Sequence, residues 1–454
     1  MNTRMLKSRR DELWQPVDDQ TLDLSTAAHL YRRVGFGADW QTLESATKRT
    51  VGEVTDELLR KSEPATDTAR LEHNFSQMKT VVMAGNGPNP MPAWWLYRLI
   101  HTQQPAIEKL VVFWHGHFAT SASKILSPSL MLRQNETLRR GAMGPFEQLV
   151  LEISRDPAML LYLDNATNRR NRPNENYARE LLELFCLGLG NYNEQDIREL
   201  ARAFTGWELR GESFQFNRFQ HDPTEKTLFG KGGLYSGEQA VAAVVANPEA
   251  SRFIAGKLFR YYVSDADDID AALVEPLAEC LRENQFNIRT GLRKLFTSRL
   301  FYSNLARAKK IRSPVDLSVG LLRSLSGTTN TIGLAESMRE LGQALFYPPN
   351  VKGWDGGRQW INSATLVGRI NLVAKLLDAN LEFSGGTESG LDRLHNISTM
   401  EEAIDRAQTL MLAVELDQDQ RVQLVKLLTN SAGNRSKLLQ AIKALSTMAE
   451  FQLA

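Results

Sequence analysis

The stretch AIEKLVVFWHGHFATS, Ala106 to Ser121, decides the fold. Ile107, Leu110, Val111 and Trp114 fall at i, i+3, i+4 and i+7, the apolar stripe of a helix rather than the alternation of a strand. Ile197, Leu200, Ala201 and Phe204 repeat that spacing in EQDIRELARAFTGW. Further amphipathic stretches cover 24–33, 51–59, 92–100, 146–153 and 177–187, then 250–262, 271–284, 290–296, 313–325, 334–345 and 365–377. Strand-like alternation is scarce, with 213–219 the best candidate for a hairpin arm. The expected class is all-α: a large multi-helix globular domain with long loops and at most a minor β-hairpin.

Composition narrows the function classes. The chain has 454 residues, 42% hydrophobic and 24% charged, which suits a soluble globular protein with a sizeable core. Its 54 basic and 53 acidic residues leave a net charge of +1, against the basic excess of a dedicated nucleic-acid binder. Cys186 and Cys280 are too few for a disulfide framework or a structural zinc site. No apolar run reaches the length of a membrane span. The N-terminus, MNTRMLKSRRDELWQP, is basic without the apolar segment of a secretory signal. As written the chain reads as cytoplasmic; if a leader has been removed it would be periplasmic or exported. The expected organisation is an N-terminal extension over 1–22, a main helical domain over 23–383, and a C-terminal helical segment over 384–454. The last boundary rests on SGGTESG at 384–390, and the region after 400 reads as two or three helices.

Three long loops interrupt the helices, at 165–174 (NATNRRNRPN), 211–235 (with HDPTEKTLFGKGG) and 347–362 (YPPNVKGWDGGRQWIN). Loops of this length in a compact helical protein are usually either functional or disordered, and ones this rich in Trp, His and Gly read as functional. The candidate chemistry gathers on them and on two helices. His115 and His117 flank Gly116. On an unbroken helix they stand roughly 200° apart and cannot share an ion. A helix ending at Gly116 would let them converge as two metal ligands, with at least one more required. In NRPNENYARELLELF, Asn174 reads as an N-cap and Asn176, Glu180 and Glu183 share one face. That helix is apolar on most sides, so its acids are either a solvated ladder or buried carboxylates that must be paired or bind metal.

His221-Asp222, with Lys226 and Lys231 nearby, reads as a proton-transfer or anion-handling loop or as a polar Asp-Pro turn. Trp354, Lys352, Arg358 and Trp360 precede a helix capped by Asn362 or Ser363. They make a corner for an anion or a sugar ring, or a loop pinned by buried tryptophans. No Glu-x-x-His pair, HExxH, GxSxG or Walker A motif occurs, and DADDID at Asp265 lacks the glycine of an EF-hand.

HLYRRVGFGA, MPAWWLYRL, LVVFWHGHFATS, PNENYARELLELFCLGLGNY, EQDIRELARAFTGW, HDPTEKTLFG and PPNVKGWDGGRQWINSATL occur in that order. In order and wording they resemble the bacterial domain-of-unknown-function family 1800, over roughly Ala27 to Phe451. The resemblance implies no activity. It does imply frequent export and a neighbouring gene for a second uncharacterised family related to sulfatases and alkaline phosphatases, hence a protein partner encoded nearby. This chain lacks the visible signal of the exported members.

Two functions from different classes follow. In the preferred one the protein is a metal-dependent enzyme, a hydrolase or oxidoreductase. A divalent or redox-active metal ion would be held by His115, His117 and Glu183, with His221, Asp222 and Glu180 catalytic. Trp354, Lys352, Arg358, Trp360 and Lys226 would bind a carbohydrate or anionic small molecule. In the other it is a non-catalytic helical binding or assembly scaffold for a partner enzyme, its polar motifs fixing loops to helices.

Overall fold

Helix α1 (Leu24–Gly35) starts where Asp23 accepts the Thr26 N–H at 2.7 Å, and nearly all of its residues from Ala27 onward are buried. In this computed structural model residues 10–60, 66–84, 90–377, 397, 399–429 and 434–454 are described. Helix α2 (Pro90–His101) carries the buried pair Trp94 and Trp95, and α3 (Pro105–His117) follows it after a three-residue turn. Every residue of α3 except Gly116 is buried, so it is a core helix, apolar around almost its whole circumference. It packs on α1, on α2 and on α4 (Pro128–Gly141).

The two charges inside α3 tie these neighbours together. Glu108 receives hydrogen bonds from Arg98 of α2 at 2.7 Å, Arg139 of α4 at 2.5 Å and the Trp95 indole at 3.1 Å. Lys109 donates to the carbonyl of Arg32 on α1 at 3.0 Å. Buried charges of this kind persist only when paired and hydrogen-bonded.

Downstream, α5 (Asn176–Glu180) continues without interruption into a π-helical turn, Leu181–Cys186. The wider turn keeps Leu181, Leu182, Phe185 and Cys186 together on the core side, and the Leu187 N–H reaches back five residues to Leu182 at 2.9 Å. Helix α6 (Pro248–Tyr262) packs against this π turn, and α7 (Pro314–Ser324), capped by Ser313, lies behind α2. Helix α8 (Ser363–Leu377) is capped by Asn362, which accepts the Thr365 N–H at 2.9 Å. The region after 400 forms three helices, α9 (Met400–Met411), α10 (Gln418–Leu428) and α11 (Asn434–Ser446), and α9 returns to pack on α1 and α7. Buried apolar residues from Trp14 to Phe451 form one contact cluster. The expected boundary at 384–390 lies outside the described residues.

The protein is mostly α-helical, as its periodicity predicts. The hairpin arm at 213–219 is real but short: β1 (Trp207–Arg210) pairs antiparallel with β2 (Ser213–Phe216). The stretch read as a long loop over 211–235 also holds a second ribbon, β3 (Lys226–Leu228) against β4 (Lys231–Gly233), turning at Phe229-Gly230. The helix expected over 334–345 runs instead over Thr331–Glu340, because Asn330 caps it earlier and Gly342, at φ 89°, ends it. No described helix is long and apolar enough to cross a membrane.

Candidate functional site

Helix α3 does not end at Gly116. It runs on to His117, so the two imidazoles leave on different sides. The glycine that the contact here requires is Gly353, not Gly116. A side chain on Gly353 would meet the Gly116 carbonyl oxygen at 2.0 Å, and Trp354 lies 3.5 Å from where a Cβ on Gly116 would stand. Gly353 also has φ 83°, a left-handed conformation that suits glycine. The Gly-Trp loop thus docks backbone to backbone on the last turn of α3.

His115 is held on the loop side. Its Nε2 accepts the Phe346 N–H at 3.1 Å, and its ring packs on Trp95, Phe346 and Trp354. Burial holds its pKa down to about 3, so it is a neutral acceptor at ordinary pH.

His117 faces the end of the π turn. A helix leaves its last carbonyls without partners. Here Nε2 of His117 donates to the Phe185 oxygen at 2.9 Å, and Nζ of Lys257 on α6 donates to the Leu184 oxygen at 3.1 Å. With Nε2 as donor, Nδ1 is the acceptor, and Lys257 donates to it at 3.2 Å. Burial, with Lys257 adding to it, keeps His117 well below the usual histidine pKa. Burial likewise lowers Lys257 to about 8, with Lys352 contributing in the same direction. The Lys257 ammonium lies 4.8 Å from the Phe253 ring centre.

His117 and Lys257 open onto a cleft of about 790 Å³. Trp354 and Trp360 form its loop wall, α3 and α6 its flank, and the Lys310–Asp265 ion pair lies deeper in. Its size suits a small-molecule ligand. Lys352, Trp354, Arg358 and Trp360 all line it. Lys352 pairs with Asp355 at 2.6 Å and is exposed like Arg358, whereas Trp354 is half-buried and Trp360 buried.

The remaining predicted residues stand elsewhere. His221 is held by the Thr205 carbonyl at 2.9 Å and packs on Phe216. Asp222 turns to Arg202 at 2.8 Å and to Thr224, so the neighbouring His and Asp do not face each other. Burial opposes the Asp222 charge, but the hydrogen bonds from Arg202 and Thr224 outweigh it and hold its pKa far below normal. Lys226 is buried and caps the carbonyls of Asp222 and Thr224 at 2.7 and 2.9 Å. Glu183 accepts the Tyr192 hydroxyl at 3.0 Å. Glu180 has its pKa raised by partial burial and then by the nearby Glu183. The helix of Glu180 and Glu183 meets His117 and Lys257 through its terminal carbonyls, not through these carboxylates.

These positions do not fit a metal centre built on His115, His117 and Glu183. Both nitrogens of His117 are engaged, Nε2 of His115 is engaged, and their rings diverge. Among the described residues no group of three or more His, Cys, Asp or Glu is placed to hold an ion. Sequence reading missed Lys257. Its signal was a lysine flanked at i−4 and i+4 by Phe253 and Tyr261, on the face an amphipathic helix normally keeps apolar.

No curated protein and no solved structure matches the chain. The model of one family, described as "Protein of unknown function (DUF1800)", matches residues 29–453. With nearly the whole chain covered, the protein belongs to the DUF1800 family.

Proposed function

We propose that the protein is an enzyme that binds a small carbonyl compound in the cleft between α3, α6 and the Gly-Trp loop, with the Lys257 amine as its reactive group. The observation that carries this reading is the setting of Lys257. It is a half-buried lysine with a pKa near 8 at the wall of a large cleft, hydrogen-bonded to two acceptors that carry no net charge. A neutral amine has two N–H groups. His117 Nδ1 and the Leu184 carbonyl use both, which leaves the nitrogen lone pair free.

Such an amine adds to a carbonyl carbon, forming the N–C bond. Uptake of one proton from solvent and loss of the carbonyl oxygen as water then give a protonated imine. His117 touches Lys257 rather than the substrate, so it is a positioning residue that fixes the direction of the lone pair. Lys352 and Arg358 at the mouth favour a substrate that also carries an anionic group. A covalent amine route asks for no ion, and so replaces the metal-bound water expected from the histidines.

The test is reductive trapping. The full chain is incubated with pyridoxal 5′-phosphate, an anionic aldehyde, and reduced with cyanoborohydride, and the modified lysines are mapped by peptide mass spectrometry. Lys257 is expected to dominate, and Lys257→Met to abolish that label. Labelling spread over exposed lysines, with Lys257 unmodified, overturns the reading.

The second reading, a non-catalytic scaffold, has its own support. The hydrogen bonds of His117 and Lys257 also cap a helix end, which is a structural role. In that case Lys257→Met lowers stability and changes nothing in trapping.

A further inference from the structure

Beside the cleft lies a second, narrower chamber of about 20 Å³ that shares Tyr261, Lys310, Ile311 and Asp316 with the cleft wall. Five cations line it: Arg32, Arg33, Lys109, Lys310 and Arg312. Arg32, Arg33, Lys109 and Arg312 are each less than 8% exposed. Most of their hydrogen bonds go to main-chain carbonyls. Arg33 donates to Tyr262, Val263, Ala306 and Ala454, Arg312 to Met411 and Leu453, and Arg32 to Thr409. Carbonyl dipoles solvate a guanidinium without neutralising it.

Among the described residues, two carboxylates stand against the five. Asp316 pairs with Lys109 at 3.0 Å, and Asp265 pairs with Lys310. Five less two leaves three positive charges on Arg32, Arg33 and Arg312, and a carboxylate on Ala454 would still leave two. Burying unpaired charge is strongly unfavourable.

We infer that the chamber binds one halide-sized monovalent anion, which supplies the charge that Arg32, Arg33 and Arg312 lack. Its volume holds about one water-sized group, too little for a free phosphate or sulfate. Phe36, Leu321, Leu410 and Met411 add apolar wall, which suits a weakly hydrated ion. The anion would lock α1 to the segment holding Met411, Leu453 and Ala454, since Arg32 and Arg33 reach it from α1 and Arg312 reaches it from the start of α7. This site is independent of Lys257 and of the reaction proposed for the cleft.

Bromide is the probe. Thermal unfolding of the full chain is followed as sodium bromide replaces sodium gluconate at constant ionic strength, and crystals grown in millimolar bromide are examined for anomalous scattering. The expected result is a saturable rise in Tm on the order of 2–4 °C, together with a bromide peak among Arg32, Arg33 and Arg312. Arg32→Met is expected to remove the bromide-specific rise. If that variant does not fold, the wild-type titration and the anomalous map still decide. Superimposed bromide and gluconate curves, or a chamber without a peak, overturn the inference. A peak only at molar bromide, without a Tm shift at millimolar concentrations, marks an adventitious ion only and overturns it equally.

Discussion

Gly353 and Gly116 meet backbone to backbone, and the demands of the contact are unequal. A methyl on Gly353 would lie 2.0 Å from the Gly116 oxygen, and φ is 83° there. A methyl on Gly116 would be at ordinary contact, 3.5 Å from the Trp354 ring. Gly353→Ala therefore combines left-handed strain of about 1–3 kcal/mol with displaced backbone worth about 1–3 kcal/mol. The expected result is a lower urea midpoint and faster tryptic cutting at Lys352 or Arg358. Gly116→Ala gains helix propensity of up to about 1 kcal/mol and should be neutral or stabilising. A Gly116→Ala variant as damaged as Gly353→Ala would mean that the loop does not dock as described.

Lys257 should react with amine reagents along a pH curve centred near 8 rather than near the ordinary lysine value of 10.5. Burial is the main cause of the shift, and Lys352 adds repulsion. Lys352→Glu replaces that repulsion with attraction, so the midpoint should move up. The check is the rate of Lys257 acylation by peptide mass spectrometry from pH 6 to pH 11. A midpoint unmoved by Lys352→Glu would put Lys352 out of electrostatic reach of Lys257.

The stripe at 107–114 was enough to read a helix, because a helical period in apolar residues has one reading. The glycine after His115 was not, since a glycine in a helical pattern signals an end, a kink or a close approach, and only the chain packed against it decides among them. His117 was read as a metal ligand beside His115, and the group that meets its Nδ1 lies 140 residues away at Lys257. His221 and Asp222 mislead in the opposite way. Adjacent residues point in different directions, and here they serve Thr205 and Arg202 separately. The π turn at Leu181 was invisible because its four core residues fit an ordinary helix nearly as well.

Three buried histidines make the protein sensitive to acid. His29, His115 and His117 all have pKa values lowered from 6.5, with burial the largest cause. Below pH 6.5 the unfolded chain takes up these protons first, so each histidine costs up to about 1.4 kcal/mol of stability per pH unit. For His115 that window extends down to about pH 3. Asp156 works in the other direction. Burial raises its pKa from 3.8 to about 6, so its proton goes to the folded state first and adds stability as pH falls through that range. Stability should drop between pH 6.5 and pH 5 in urea titrations. His115→Gln should flatten the drop and Asp156→Asn should steepen it. A slope unchanged in both variants would show that other groups govern acid unfolding.

Glu108 gives the sharpest separation between a buried and a surface ion pair. It is 1% exposed and accepts from Arg98, Arg139 and the Trp95 indole. Burial disfavours its charge, yet Arg139 and Arg98 outweigh burial and hold its pKa near 2. Glu108→Gln keeps the shape but leaves two guanidiniums against a neutral amide, which should cost about 3–5 kcal/mol. Glu72 meets the same Arg98 at 2.8 Å from a side chain 47% exposed, so Glu72→Gln should cost less than about 1 kcal/mol. Replacing Glu108 and Arg139 together by methionine should recover part of the Glu108→Gln loss, because the pair is removed rather than broken. Equal destabilisation by Glu72→Gln and Glu108→Gln in urea unfolding would mean that water reaches Glu108 and that α2, α3 and α4 are not locked through it.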